Sequence, residues 1–200
     1  MKEDLYKKYL RNIKNGKTAI RKEYVDRGYF SYYDKREINN HNNSKKIMID
    51  GVNICYDEYL EEAFKQINNK SKINNINLYL GKIGKRLSQK YIEMNGLKEN
   101  IFDYHISIGI DGINHTINKH GDKSEINRGQ KPITINDIRM IPNLLLNSEI
   151  IVYMGKSKDN RKIYKFISKN NDGSYNMIDF INNNRKQLGF QSLYIIKTRK

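Results

Sequence analysis

Apolar residues recur at helical spacing through most of the first 145 positions of this chain and at every second position after that. The stretch KEDLYKKYLRNIKN (2–15) places Leu5, Tyr9 and Ile13 four apart, which predicts an amphipathic helix. Residues around Tyr29–Tyr33 read as strand. Residues 55–67 put Tyr56, Tyr59, Leu60, Ala63, Phe64 and Ile67 on one helical stripe, a core face rather than a ligand site. A polar run over 68–75 (centred on NNKSKINN) reads as a break. Beyond it INLYLGKI predicts a short strand ended by Gly81, then a helix over about 84–95 closed by Asn95-Gly96. Asp111 can cap a helix from Gly112 to about Lys119, with Gly121 as its stop. Thr134 caps another with Asp137 at N3, and Pro142 interrupts or ends it.

From Glu149 the period becomes two. The candidate strands are 149–155, 161–169, 174–182 and 191–198, with Lys-Asp-Asn and Asn-Asp-Gly as turns between the first three. Helices first and a meander last predict an α+β fold: a helical layer followed by a four-stranded antiparallel β-sheet, with a small N-terminal appendage. The expected division is an appendage of unassigned role at 1–72, holding helices and a short strand, and an α+β domain at 73–200.

Charge narrows the partner. The chain has 37 Lys and Arg against 22 Asp and Glu, a net +15, and a pI near 9.7. Codon drift in an AT-rich genome accounts for some lysine, yet the acids did not keep pace. An anionic partner is implied: nucleic acid, an acidic protein or an anionic membrane face. Residues 155–200 alone carry eleven Lys or Arg against three Asp, so the predicted sheet is a platform for a phosphate backbone. A single cysteine, Cys55, excludes an intrachain disulfide and a Cys-based zinc site. No apolar run approaches the roughly 20 residues of a membrane span, and the start lacks a signal-peptide core. The expectation is a soluble cytoplasmic protein with no membrane partner, although delivery by a specialised secretion system or a virion leaves no such signal.

Candidate chemistry concentrates in 104–134, where His105, His115 and His120 accompany Lys119, Lys123 and Arg128. Histidine is the side chain whose unperturbed pKa lies near neutrality. Metal-free RNA cleavage needs a base for the 2′-hydroxyl, an acid for the leaving 5′-oxygen, and cations or hydroxyls around the phosphorane. His115 and Lys119 share a helical face, whereas His120 lies about 140° around from His115. Beside Gly121, His120 is better placed to project and is the leading catalytic candidate. His115 is then its partner or a core residue. Arg128, in Arg128-Gly129-Gln130, offers a bidentate phosphate fork. Ser192 and Tyr194 face one side of the last strand, either as hydroxyls over a site or as sheet packing. His105, Lys123, Lys162, Lys165 and Lys197 are the candidate RNA contacts. HExxH, HxH, GxSxG, GxxxxGK[ST] and GxGxxG are all missing, so no metal and no cofactor is expected.

A series of stretches then resembles a known family. They are LYLGKIGKRLSQKYIEMNGL (78–97), YHISI (104–108), INHTINKHG (113–121), RGQKPIT (128–134), DIRMIP (137–142), KIYKFISKNNDGSYNMIDF (162–180) and SLY (192–194). In this order, over residues 78–200, the chain resembles the phage-associated members of the Barnase–EndoU–colicin E5/D–RelE-like nuclease superfamily. The resemblance implies helices followed by a four-stranded sheet, and a metal-independent endoribonuclease that leaves a 2′,3′-cyclic phosphate. It implies His120 and Lys119 as the strongest catalytic candidates, supported by His115, Arg128, Ser192 and Tyr194. The leading expectation is a phage or mobile-element toxin that cleaves tRNA or another structured RNA, with an immunity protein as a further partner. The rival is a phage-encoded inhibitor that occupies a host ribonucleoprotein through the basic scaffold. A third option is a structural virion or DNA-packaging protein.

Overall fold

The computed structural model describes residues 7, 11–12, 14–15, 19–37, 47–49, 56–68, 77–171 and 173–197. The helix expected over 2–15 lies mostly outside them, the break at 68–75 almost wholly and Cys55 wholly. Helix α1 (Lys22–Asp26) leads into strand β1 (Phe30–Ser31); β2 (Ile47–Ile49), α2 (Tyr56–Asn68), β3 (Asn77–Ile83) and α3 (Lys85–Glu93) follow. Next come β4 (His105–Gly109), α4 (Ile110–His120), a 3₁₀ turn (Lys123–Arg128), β5 (Gln130–Lys131), α5 (Ile135–Arg139) and α6 (Ile141–Leu146). The chain closes with β6 (Ile150–Lys156), β7 (Lys162–Asn170), β8 (Gly173–Asn182) and β9 (Gln187–Lys197).

The fold is mixed α+β, but among the described residues the sheet has nine strands, not four. Its order is β1-β3-β4-β9-β8-β7-β6, with β2 on β3 and β5 on β9. The four strands read from the alternation are present as an antiparallel meander. What the pattern hid is β4, which pairs parallel with the first residues of β9, His105 to Ile108 against Gln187 to Phe190. Parallel pairing needs a long crossover, so no local hairpin signal announces it. That pairing also starts the last strand four residues before the expected position 191.

Local chemistry accounts for the remaining departures. Gly81 does not end β3. The strand passes through it with a register shift after Tyr79, and a Cβ there would lie 2.9 Å from the Ser31 carbonyl oxygen. Asp111 is in the first turn of α4, whose N-cap is Gly109. The Thr134–Asp137 box is present: the Asp137 carboxylate accepts from the Thr134 amide at 2.8 Å and its hydroxyl at 2.7 Å. Pro142 opens α6 rather than closing α5, because its missing N–H costs nothing in a first turn.

One buried cluster joins α2 and α3 to the sheet and to α5 and α6; Tyr91, Phe166, Met177 and Leu193 are all close to fully buried in it. The Tyr56 hydroxyl donates to the Ile138 carbonyl at 2.8 Å, and Tyr91 to that of Leu145 at 2.5 Å. These buried hydroxyls thereby avoid the cost of an unmet polar group. Among the described residues no helix is long and apolar enough to cross a membrane.

Candidate active site

Strand β9 has β4 beside it only up to Phe190 and β5 only from Ile195. Helix α4 packs against β9 and supplies a bond in the gap between them. Thr116, fully buried, accepts from the Leu193 amide at 3.2 Å through its hydroxyl, which in turn donates to the Gly112 carbonyl at 2.8 Å. Gly112 permits this approach, since a Cβ there would stand 2.7 Å from the Phe190 carbonyl oxygen. Opposite, Phe190 pairs with Asp179 and Ser192 with Ile178, leaving Gln191 as a bulge. Bulges re-aim side chains near functional sites. The result is a pocket lined by His115, Lys119, His120, Gln130, Ile178, Gln191, Ser192 and Tyr194.

His120, the last residue of α4, is fixed from two sides. Its Nδ1 lies 3.1 Å from the Glu125 carboxylate, and its ring lies 5.5 Å from that of Tyr194, tilted 36°. Glu125 is 2% exposed, and its other oxygen accepts from Arg128 at 2.8 Å. With Nδ1 engaged by Glu125, Nε2 is the ring nitrogen left for a substrate. The Arg128 guanidinium remains mostly solvent-facing, with donors to spare for phosphate. His115 lies on the same helix, and its pKa is held below the ordinary 6.5 by burial of part of the ring, then by the charges of Lys119 and His120. It is therefore a free base at neutral pH.

Six expected catalytic positions, His115, Lys119, His120, Arg128, Ser192 and Tyr194, thus come to this pocket or directly behind it. Ser192 is buried on its floor. Lys165 pairs with Ile178, which pairs with Ser192, so all three share one face of the sheet. Lys123 is exposed on the 3₁₀ turn, and Lys197 is exposed where its amide bonds Gly129 at 3.0 Å. Two expected contacts lie elsewhere. His105 stacks on Tyr33 at 5.6 Å, with Nδ1 3.2 Å from the Tyr33 hydroxyl, and meets Tyr79 edge-on. Lys162 pairs with Glu99 at 2.6 Å. Glu125, Gln130 and Gln191 were not anticipated, and only the position of Glu125, five residues after His120, hinted at its part. Among the described residues no group of three or more His, Cys, Asp and Glu is arranged to hold a metal.

Residues 81–200 match the family model described as phage-Barnase-EndoU-ColicinE5/D-RelE like nuclease3; this is more than half the chain, which belongs to that family. The resemblance read from the sequence is borne out. No curated protein and no solved structure matches the chain.

Proposed function

With membership in that nuclease family as the premise, we propose that the protein is an endoribonuclease acting on tRNA or another structured RNA by 2′-hydroxyl attack. The observation that supports this reading most is the pairing of two differently held imidazoles in one pocket: His115, a free base, and His120, backed by a buried carboxylate. Two imidazoles held by different neighbours can divide base and acid between them. His115 takes the proton of the 2′-hydroxyl as its oxygen bonds to phosphorus. The bond from phosphorus to the 5′-oxygen breaks, and His120 delivers its Nε2 proton to that oxygen. The products are a 2′,3′-cyclic phosphate and a free 5′-hydroxyl.

Glu125 acts through His120, holding its orientation and the Nδ1 proton. Lys119 and Arg128 place positive charge beside the phosphorane, where charge develops in the transition state. The Ser192 hydroxyl contacts the scissile phosphate, and Tyr194 keeps the His120 ring in place. Lys123, Lys165 and Lys197 carry the flanking backbone, and binding weakens with salt. In this reading an immunity protein would cover the same pocket.

The test is His120→Ala, assayed on end-labelled tRNA beside a thermal melt. The expected result is loss of cleavage with an unchanged melting temperature. A folded variant that cuts at the full rate removes His120 from the mechanism.

A further inference from the structure

Past His115 the pocket opens into a second, larger cleft that shares His115 and Gln191 with it and runs on to Arg161, Phe180, Arg185 and Gln187. None of the last four has a part in the proposed chemistry. Ile178 lines the histidine pocket and Phe180 the cleft. They are two residues apart on β8, about 7 Å, a distance that a single nucleotide bridges.

The cleft has the parts of a base-binding site. The tip of the Phe180 ring fills the space over Gly189, where a Cβ would lie 2.2 Å from Cζ. The Arg161 guanidinium covers that ring, 4.2 Å from its centroid, and donates to Asp159 at 3.0 Å. Its Nε is buried without a hydrogen-bond partner. Arg161 is thus a fixed flat cation backed by an aromatic ring, and a guanidinium plane is a surface on which unpaired bases stack. The cleft floor is polar: the Gln187 side-chain amide donates to Ser107 at 2.7 Å, and its oxygen is a further acceptor. Arg185 stands at the rim, within the turn that follows β8.

We propose that this cleft binds a nucleobase of a nucleotide adjoining the scissile phosphate. The base stacks on Arg161, and Arg185 meets the flanking phosphate. The proposal rests on the ribonuclease reading for its orientation, and its test does not depend on turnover. A short 2′-O-methyl oligoadenylate lacks the attacking hydroxyl and cannot be cleaved by this route. An abasic oligomer of the same length and charge serves as its control, and both dissociation constants are measured. Wild type should bind the base-bearing oligomer about tenfold tighter or more, as stacking of one base implies. Arg161→Ala and the charge-conserving Arg161→Lys should both bring the ratio toward one, while His120→Ala keeps it. A wild-type ratio of one, or a ratio untouched by Arg161→Lys, overturns the subsite. A protein that shows the ratio yet never cuts RNA would refute the nuclease reading and leave the subsite standing.

Discussion

Asp179 is a carboxyl in the wrong solvent. It stands on β8 between Tyr164 and Phe190, opposite the Gln191 bulge, 2% exposed and with Oδ1 unmatched by any donor. Burial pushes its pKa from the ordinary 3.8 up to about 8. The folded state therefore keeps a proton that the unfolded state releases above 3.8. Stability falls as pH rises between these two values and is level beyond about 8. Asp179→Asn keeps the shape and removes the titration. At roughly 1.4 kcal/mol per pH unit, the variant should gain on wild type by about 3 kcal/mol between pH 5 and pH 7. For a chain of this size that is a relative shift in melting temperature of roughly 5–10 °C. Urea unfolding of both proteins at the two pH values measures it. Parallel stabilities, with a difference independent of pH, would refute the buried neutral carboxyl.

Three further outcomes follow from the site. Glu125→Gln should lower kcat for RNA by about 10²–10⁴-fold, the scale for mis-setting a catalytic imidazole; a loss under threefold would show that the carboxylate does not orient His120. Because burial and the Lys119 charge hold His115 below 6.5, the acid limb of kcat/KM should lie below that value. Lys119→Met removes one of those causes, so the limb should move to higher pH, and a limb that stays put or moves down contradicts His115 as base. Gly189→Ala drives a methyl into the Phe180 ring and should cost about 1–3 kcal/mol in a thermal or urea melt. An unchanged melting temperature would mean that the ring is not wedged there.

The meander was legible because β7 and β8 alternate under an aqueous face, the one signal a strand writes into its own residues. Helix α4 was legible through His115, Lys119 and His120 before Gly121. Strand β4 was not, since His105–Gly109 is short and one of its two partners, β9, lies some eighty residues away. Glu125 sits in SEINRG, which reads as solvated turn, and only the fold of the 3₁₀ segment under His120 buries it. Arg161 lies in a surface turn between β6 and β7; its value comes from Phe180, nineteen positions on and across a hairpin. His105 was grouped with the site by proximity in sequence, yet β4 carries it to Tyr33 and Tyr79. Clustering along a chain finds neighbours on one helix and misleads for a residue on the preceding strand.

The most direct test of the account is to incubate the purified protein with end-labelled total tRNA in excess EDTA, beside His120→Ala, and to read the termini of any fragments. The account predicts discrete fragments ending in a 2′,3′-cyclic phosphate and absent from the variant. Intact RNA across the pH range, with divalent metals restored, would contradict it and point to a basic scaffold that binds a ribonucleoprotein without cutting it.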